Sequence, residues 1–270
     1  MGGLPVTAVK GGPHPHTDAL PPQPHRPHVG ARTERYPAGI HIALHWHDEY
    51  QLIYVSSGLM AIHTARGTWV ASPGRALIIP AGIEHEHRTY GDTLLHLFTS
   101  DGPGLLDRGA RAPEVIAVDA LVHEVLKAVT DESLPAEETD NLRRVLFDRI
   151  RRTPVTGLRL PAPRDPRLRA ACELVQANLE QAYSLPQLAR LTHASERTLA
   201  RLFKSEFGQT YPQWRTHARL FHAMTRLAEG GSVSQVALEC GWSTSSAFID
   251  SFRRVMGQTP GSFREPVNQL

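Results

Sequence analysis

The chain has 270 residues, with 29 Lys and Arg against 27 Asp and Glu and a formal net charge of +2. This length allows two domains of ordinary size, each with its own core. The small net charge excludes a strongly polybasic or polyacidic protein. No apolar run approaches the roughly 18 residues of a membrane-spanning helix, so we expect no membrane span.

The first segment, residues 1–30, is rich in proline and histidine and lacks an apolar run. It has neither the hydrophobic stretch nor the cleavage site of a signal peptide, so we expect no leader. We predict a disordered tail, whose histidines are solvated rather than a weak metal site. The two cysteines, Cys172 and Cys240, lack CxxC spacing and are expected to be buried, reduced thiols of a cytoplasmic protein.

Residues 39–99 have a β pattern, with short runs of Ile, Leu, Val and Tyr broken by Gly and Pro. Many short antiparallel strands favour a sandwich or a barrel. The predicted strands are residues 51–56, 59–64, 68–71, 76–79 and 94–99. The predicted turns lie at Gly58, Gly67, Pro73-Gly74 and Pro80-Ala81-Gly82.

A set of polar side chains is predicted to share one face of these strands. His45, His47 and Gln51 have the same strand parity, and His85 follows a turn that can return it to that face. Three imidazoles and an amide oxygen suit a divalent transition metal, which we retain as a candidate cofactor. His87 and Thr89 share the parity of His85. The alternative is that these residues line an effector pocket or are hydrogen-bonded parts of the fold.

Two amphipathic helices are predicted at residues 119–130 and 137–152. They pack on their own domain or on a second copy of the chain. The prolines and glycine at Pro154, Gly157, Pro161 and Pro163, followed by Pro166, predict a linker at residues 154–165. The linker therefore separates an N-terminal domain at residues 31–153 from a second domain at residues 166–270.

Residues 184–264 contain the same segment twice. Ser184-Leu185-Pro186-Gln187-Leu188-Ala189 aligns with Ser232-Val233-Ser234-Gln235-Val236-Ala237, forty-eight positions later, and Gly208-Gln209-Thr210 aligns with Gly257-Gln258-Thr259. A repeat of this length is one supersecondary unit used twice.

Each copy is predicted to form a helix, a tight turn and a second helix. The helices begin after capping residues, which are Ser184, Ser195, Ser232 and either Ser243 or Thr244. Gly208 and Gly257 end the second helices. A connector helix over residues 212–228, about 25 Å long, would hold the two units about one DNA turn, roughly 34 Å, apart.

The second helix of a helix-turn-helix unit lies in the major groove, so its exposed residues are the candidate DNA contacts. These are Glu196, Arg197, Ala200, Arg201, Lys204, Ser245, Ser246, Ile249, Asp250 and Arg253. Arg197 and Arg201 can donate to guanine edges or phosphates, whereas Asp250 repels phosphate. We therefore expect the first unit to dominate affinity.

The C-terminal motifs resemble the AraC-type transcriptional regulators over residues 166–264. The residues that carry the resemblance are Arg219-Leu220, Ala223, Ser232-Val233-Ser234-Gln235-Val236-Ala237, Gly241-Trp242, Ser245-Ser246-Ala247-Phe248, Phe252-Arg253-Arg254, Gly257-Gln258-Thr259-Pro260 and Phe263-Arg264. The resemblance implies DNA binding, and it implies that the helices before the linker form a homodimer.

The spacing of Gly39, His45-x-His47, Gln51 and Gly58 resembles the first motif of the cupin family. Gly74, Pro80-x-Gly82 and His85 resemble the second motif. Gln51 stands where metal-dependent cupin enzymes usually have Glu. The change removes a negative ligand and a candidate acid or base, which disfavours catalysis more than binding.

The predicted fold class is therefore mixed, with an N-terminal all-β cupin-like barrel with flanking helices and a C-terminal all-α domain of two helix-turn-helix units joined by a connector helix. The predicted function is an effector-responsive, sequence-specific transcriptional regulator, either activator or repressor, and not an enzyme. Its expected partners are double-stranded DNA, a small-molecule or metal effector and a second copy, with RNA polymerase as a further candidate. The alternatives are a metal-dependent cupin dioxygenase or isomerase tethered to DNA and a constitutive DNA-binding protein.

Overall fold

The structure, a computed structural model, describes residues 6–8, 23–24, 30–100, 109–131 and 133–264. The predicted disordered tail lies almost wholly outside these residues. The chain divides into two compact units, here called the N-terminal unit (mainly residues 1–65 and 69–157) and the C-terminal unit (mainly residues 158–262). Among the described residues, no helix is long and apolar enough to cross a membrane.

The N-terminal unit is built on a β-sheet. Its strands are β1 (Val6–Ala8), β2 (Gln23–Pro24), β3 (Gly30–Tyr36), β4 (Ile40–Trp46), β5 (Tyr50–Thr64), β6 (Gly67–Ala71), β7 (Arg75–Ile79), β8 (His85–Ser100) and β9 (Glu114–Ala117). Strand β8 pairs antiparallel with β3, β4 and β5, and β7 pairs with β5 and β9. The β-rich N-terminal region is confirmed.

The predicted turn at Gly58 is wrong, because β5 continues through this residue as a bulge. Its register with β8 shifts between Val55 and Ser57 and again between Ser57 and Leu59. Gly58 has a φ of 76°, and a Cβ there would lie 2.5 Å from Thr93 Oγ1. Glycine is therefore needed here because β5 and β8 lie too close together for a side chain. A glycine in a strand bulge and a glycine in a hairpin turn look the same in the sequence.

The predicted strands omit β3 and β4, and the predicted strand at residues 94–99 covers only the end of β8. Strand β3 carries Arg32 and Glu34, and its residues are at most half-buried. The first half of β8 alternates buried and partly exposed residues, from His85 to Thr93. Strands that are only half-buried need polar residues at every second position, so they lack the apolar runs by which the other strands were predicted.

The two faces of the sheet form two cores. Ile53, Val55 and Leu97 lie in one, which also contains Trp69 and Ile79. The intervening residues form the other core with two helices, α1 (Ala120–Val129) and α2 (Ala136–Arg152). Its members include Leu52, Tyr54, Phe98, Val122, Leu126, Leu146 and Phe147. Both helices were predicted, and their main apolar stripes pack on the sheet of their own unit. Leu121 and Val145 stay 48% and 43% exposed.

The C-terminal unit is helical, as predicted. It contains β10 (Arg159–Pro161), within the predicted linker, and the helices α3 (Pro166–Ala177), α4 (Leu185–Leu191), α5 (Glu196–Phe207), α6 (Tyr211–Ala228), α7 (Val233–Glu239), α8 (Ser245–Met256) and α9 (Pro260–Arg264). Helices α4 and α5 form the first helix-turn-helix unit, and α7 and α8 form the second. Helix α6 has 18 residues, about 27 Å, and connects them.

The predicted helix boundaries are confirmed at their caps. The side chains of Ser184, Ser195, Ser232 and Thr244 each accept a hydrogen bond from the backbone N–H three residues later. Gly208 and Gly257 end α5 and α8 in the left-handed conformation, with φ of 70° and 75°. These local signals determine where α5 and α8 begin and end, without contacts from distant parts of the chain.

Candidate functional site

Three histidines of the N-terminal unit meet where β4 and β8 pair. His45 and His85 are direct partners in the register, and His87 lies two residues further along β8 on the same side. All three are at most 5% exposed. Their ring centroids are 4.3 to 5.3 Å apart. One ligand nitrogen from each lies within 4.8 Å of the other two, so together they are able to hold a metal ion.

Backbone carbonyls orient the imidazoles in this pocket. His45 Nδ1 lies 2.8 Å from the Ala43 carbonyl, and His85 Nδ1 lies 2.6 Å from the Ile83 carbonyl. Because a carbonyl oxygen only accepts, each Nδ1 donates, and the neutral ring keeps its lone pair on Nε2. Metal-binding histidines are usually oriented by this kind of bond.

His47 and Gln51, also predicted for this site, lie beside the cluster. Both are buried, and the His47 ring centroid is 5.0 Å from that of His85. Burial lowers the pKa of His47, and the hydrogen bond with the Glu49 carbonyl partly opposes this shift. The structure therefore brings the four predicted residues together, but the close histidine group contains His87 in place of His47.

Glu49 is a pocket residue that the sequence reasoning missed. Its carbonyl accepts from His47 Nδ1 at 2.7 Å, and its carboxylate raises the pKa of His47. The carboxylate oxygen Oε2 is buried without a hydrogen-bond partner among the described residues. Glu49 has the parity of His47 and Gln51, which was the available signal. The negative charge of Glu49 beside the pocket partly compensates for Gln51, which stands where metal-dependent cupin enzymes usually have Glu.

Thr89 is buried, but its hydroxyl has a structural role. It donates to the Pro37 carbonyl at 3.0 Å and accepts from the Ile40 backbone N–H at 3.1 Å. These bonds join the start of β4 to β8. Thr89 therefore holds the strands that carry His45 and His87 in place.

A second buried polar cluster lies on the other face of the sheet, against α1. His96 contacts the hydroxyls of Thr33 and Thr130 through Nδ1, both at 3.1 Å, and Ser56 Oγ through Nε2 at 3.2 Å. Tyr54 Oη lies 2.5 Å from His123 Nδ1 on α1. Burial, with the nearby His123 and Lys127, lowers the pKa of His96 to about 4. The cluster ties β5 and β8 to α1.

The second helix of each helix-turn-helix unit presents its predicted DNA contacts on the outer face. On α5 all five predicted contacts are exposed, opposite the buried Leu199 and Phe203: Glu196, Arg197, Ala200, Arg201 and Lys204. On α8, Ser246, Asp250 and Arg253 are exposed, whereas Ser245 and Ile249 are half-buried. Among the predicted contacts, α5 therefore offers three basic side chains and one acidic one, whereas α8 offers Arg253 and Asp250, with Arg254 also exposed in its last turn. This difference favours phosphate contact by the first unit.

A β-rich unit followed by two helix-turn-helix units defines a DNA-binding transcriptional regulator. The family model of the AraC-like ligand binding domain matches residues 27–142, and that of a helix-turn-helix domain matches residues 188–266. The chain belongs to the AraC-type transcriptional regulators. Its relatives are regulators, which indicates a regulator rather than an enzyme.

Three similar proteins illustrate the relationship. The HTH-type transcriptional regulator NimR of Escherichia coli is 29% identical over 224 residues, which are 82% of this chain and 81% of NimR. The HTH-type transcriptional regulator RipA of Corynebacterium glutamicum is 34% identical over 133 residues, 48% of this chain and 38% of RipA. A transcriptional regulator with an AraC-type DNA-binding domain from Chromobacterium violaceum, known from a crystal structure, is 30% identical, with a TM-score of 0.36, over 39% of this chain and 96% of its own.

Proposed function

We propose that this protein is an effector-responsive regulator in which occupancy of the histidine pocket biases the affinity of the two helix-turn-helix units for DNA. The buried cluster of His45, His85 and His87 supports this proposal most directly, since it lies in the region that matches a ligand-binding domain. A ligand changes DNA affinity only if it binds two states of the protein unequally. The protein acts in the cytoplasm as a homodimer, with RNA polymerase as a further partner.

A divalent transition metal is the effector or cofactor that suits this pocket. His45, His85 and His87 would hold it through nitrogen, with His47, Gln51 and Glu49 beside them. An imidazole-rich set favours Zn²⁺, Ni²⁺, Co²⁺ or Cu²⁺ over Mg²⁺ and Ca²⁺, which prefer oxygen ligands. The bound ion would supply a bridge between β4 and β8. A small-molecule effector would instead use the same side chains as hydrogen-bond partners.

The residues that read DNA are those on the exposed faces of α5 and α8. Arg197 and Arg201 stand on the first two turns of α5, where helices of this type reach base edges and phosphates. Lys204 and Arg253 add phosphate contacts. Asp250 limits the contribution of α8, so the first unit supplies most of the affinity.

The proposal is tested with DNA fragments selected by the full-length protein from genomic DNA. Affinity for a selected fragment is measured after chelation and again with added Zn²⁺, Co²⁺ or Ni²⁺. We expect the metal to change the affinity of the wild type and to have no effect on a His45→Ala, His47→Ala double variant. His41→Ala is the matched control, since His41 lies on β4 but pairs with Glu86.

Three outcomes would contradict parts of this proposal. A double variant with an unchanged dose response removes these histidines from the sensor. If the DNA affinity of the wild type does not change with any ion but changes with an organic ligand, the metal is contradicted as effector and the pocket remains the proposed binding site. An affinity indifferent to every ligand tried indicates constitutive DNA binding.

A further inference from the structure

Arg219 of the connector helix α6 is buried against the turn of the second helix-turn-helix unit. Its side chain is 9% exposed, its Nε donates to the Cys240 carbonyl, and its guanidinium lies 3.9 Å from the centre of the Trp242 ring. Trp242 in turn packs on Phe248 of α8, with ring centroids 4.9 Å apart. A hydrogen bond and a stacked ring fix the position and the angle of the turn relative to α6.

Arg215, one helical turn earlier, makes the corresponding bonds towards the first unit. Its Nη2 donates to the Gln181 carbonyl at 2.9 Å and lies 3.5 Å from the Leu179 carbonyl. Both carbonyls belong to the loop between α3 and α4. Two arginines four residues apart, and therefore on the same face of α6, bind backbone carbonyls next to the first and the second helix-turn-helix unit.

The two sides also touch each other directly. A Cβ at Gly241, in the turn of the second unit, would lie 2.7 Å from both the Leu179 carbonyl oxygen and the Glu180 Cα. Backbone meets backbone here, and the Arg215 and Arg219 bonds lie on either side of this contact. The second unit is thus seated on the loop that precedes the first unit as well as on α6.

We propose that Arg219, supported by Arg215, is a positioning residue that sets the distance and angle between the two recognition helices and thereby the spacing of the two DNA half-sites that the protein binds. The proposal rests on the proposed function in one respect, that both units contact DNA at once. Arg219 is suited to this role because a planar guanidinium donates in its plane and stacks on its face, which an ammonium group does not reproduce.

The experiment measures binding to a set of DNA fragments with the full-length protein. A fragment selected by the wild type from a random library is remade with its half-sites moved apart or together one base pair at a time over one helical turn. A second fragment keeps the half-site of the first unit and has the other scrambled. Arg219→Met and Arg219→Lys are compared with the wild type, and Arg169→Met, which changes an exposed arginine of α3, is the control.

The wild type should bind one spacing best. Arg219→Met should lose about tenfold in affinity at that spacing, flatten the dependence on spacing and change less than about twofold on the scrambled fragment. The affinity of Arg219→Lys should lie between those of the wild type and Arg219→Met, since lysine keeps the charge and can donate but lacks the planar group that stacks on Trp242. Arg215→Met, at a less buried position, should flatten the profile in the same way and provides a folded variant if Arg219→Met does not fold.

Several results would overturn the assignment. An unchanged spacing profile in both Arg219→Lys and Arg215→Met would show that the arginines do not set the geometry. Equal losses on both fragments would show a general effect on folding or on the first unit. A wild type that itself shows no spacing preference would instead contradict simultaneous binding by both units, which is the underlying proposed function.

Discussion

His45 and His85 stand opposite each other across β4 and β8, with ring centroids 4.3 Å apart and each Nδ1 bound to the carbonyl two residues before it. The same local bond on two paired strands turns both Nε2 atoms into acceptors. Two adjacent strands thus present nitrogen lone pairs to one ligand, with His87 as the third residue of the group. Neither strand could form this arrangement alone, so the site exists only in the folded sheet.

The first prediction concerns stability with metal. A ligand that binds only the folded state stabilises it by about 2.7 kcal/mol at a hundred times its Kd. Saturating Co²⁺ or Zn²⁺ should therefore raise the Tm of the N-terminal unit by about 5 °C or more. His87→Ala should lose this shift, and His41→Ala should keep it. Calorimetry of chelated and metal-loaded protein measures it, and an equal shift in both variants would contradict the assignment.

The second prediction concerns the buried His96 and pH. The pKa of His96 is lowered from 6.5 to about 4, mainly by burial. Between these values the unfolded chain binds a proton that the folded chain does not, so stability is lost as pH falls from 6.5 towards 4. From pH 7 to pH 5 the wild type should lose about 1 to 2 kcal/mol more than His96→Gln. Urea denaturation at both pH values compares them; equal losses would show that His96 titrates normally.

The third prediction compares two glycines with the same backbone conformation. Gly208 has a φ of 70°, and a Cβ added there would meet nothing within 4 Å, whereas a Cβ at Gly241, with a φ of 76°, would meet backbone at 2.7 Å. Gly208→Ala should cost about 1 kcal/mol from left-handed strain alone. Gly241→Ala should cost at least about 2 kcal/mol, since backbone atoms must move. Equal costs in chemical denaturation would argue against the tight contact.

The fourth prediction concerns DNA contacts. Arg201→Ala should weaken binding by about 1 to 3 kcal/mol, whereas Asp250→Ala should strengthen it or leave it unchanged because it removes a charge that repels phosphate. Titration of a labelled fragment at fixed salt measures both. A large loss from Asp250→Ala together with none from Arg201→Ala would refute the dominance of the first unit.

The two helix-turn-helix units and the connector helix were predicted because their signals are local, whereas α3, α9 and β10 were not among the predicted elements. Ser195 and Gly208 mark the two ends of α5 within thirteen residues, and the repeat supplies a second copy of each signal. The N-terminal unit depends on pairing between distant residues. The side chains of β3 reveal a strand only when β8 lies beside them, and Gly58 is a bulge only because Thr93 approaches it.

The candidate pocket was predicted in composition but not in arrangement. Strand parity placed His45, His47, Gln51 and His85 together, and all four are buried near one another. Parity does not give distances between strands, so it could not show that His87 is closer to His45 than His47 is. The ring centroids are 5.3 Å and 6.2 Å from that of His45, respectively.

The close contact of Gly241 with Leu179 and Glu180 means that only one of the two copies of the repeat can be exchanged independently of this loop. His193 occupies the matching turn position of the first unit, with a φ of 51°, and is exposed. The two matching turns therefore have different surroundings, since Gly241 packs against backbone. A chimera that transplants the second unit from a relative must therefore carry the loop around Leu179 with it. A chimera that transplants the first recognition helix, α5, leaves that contact intact, which makes α5 the simpler place to exchange DNA specificity.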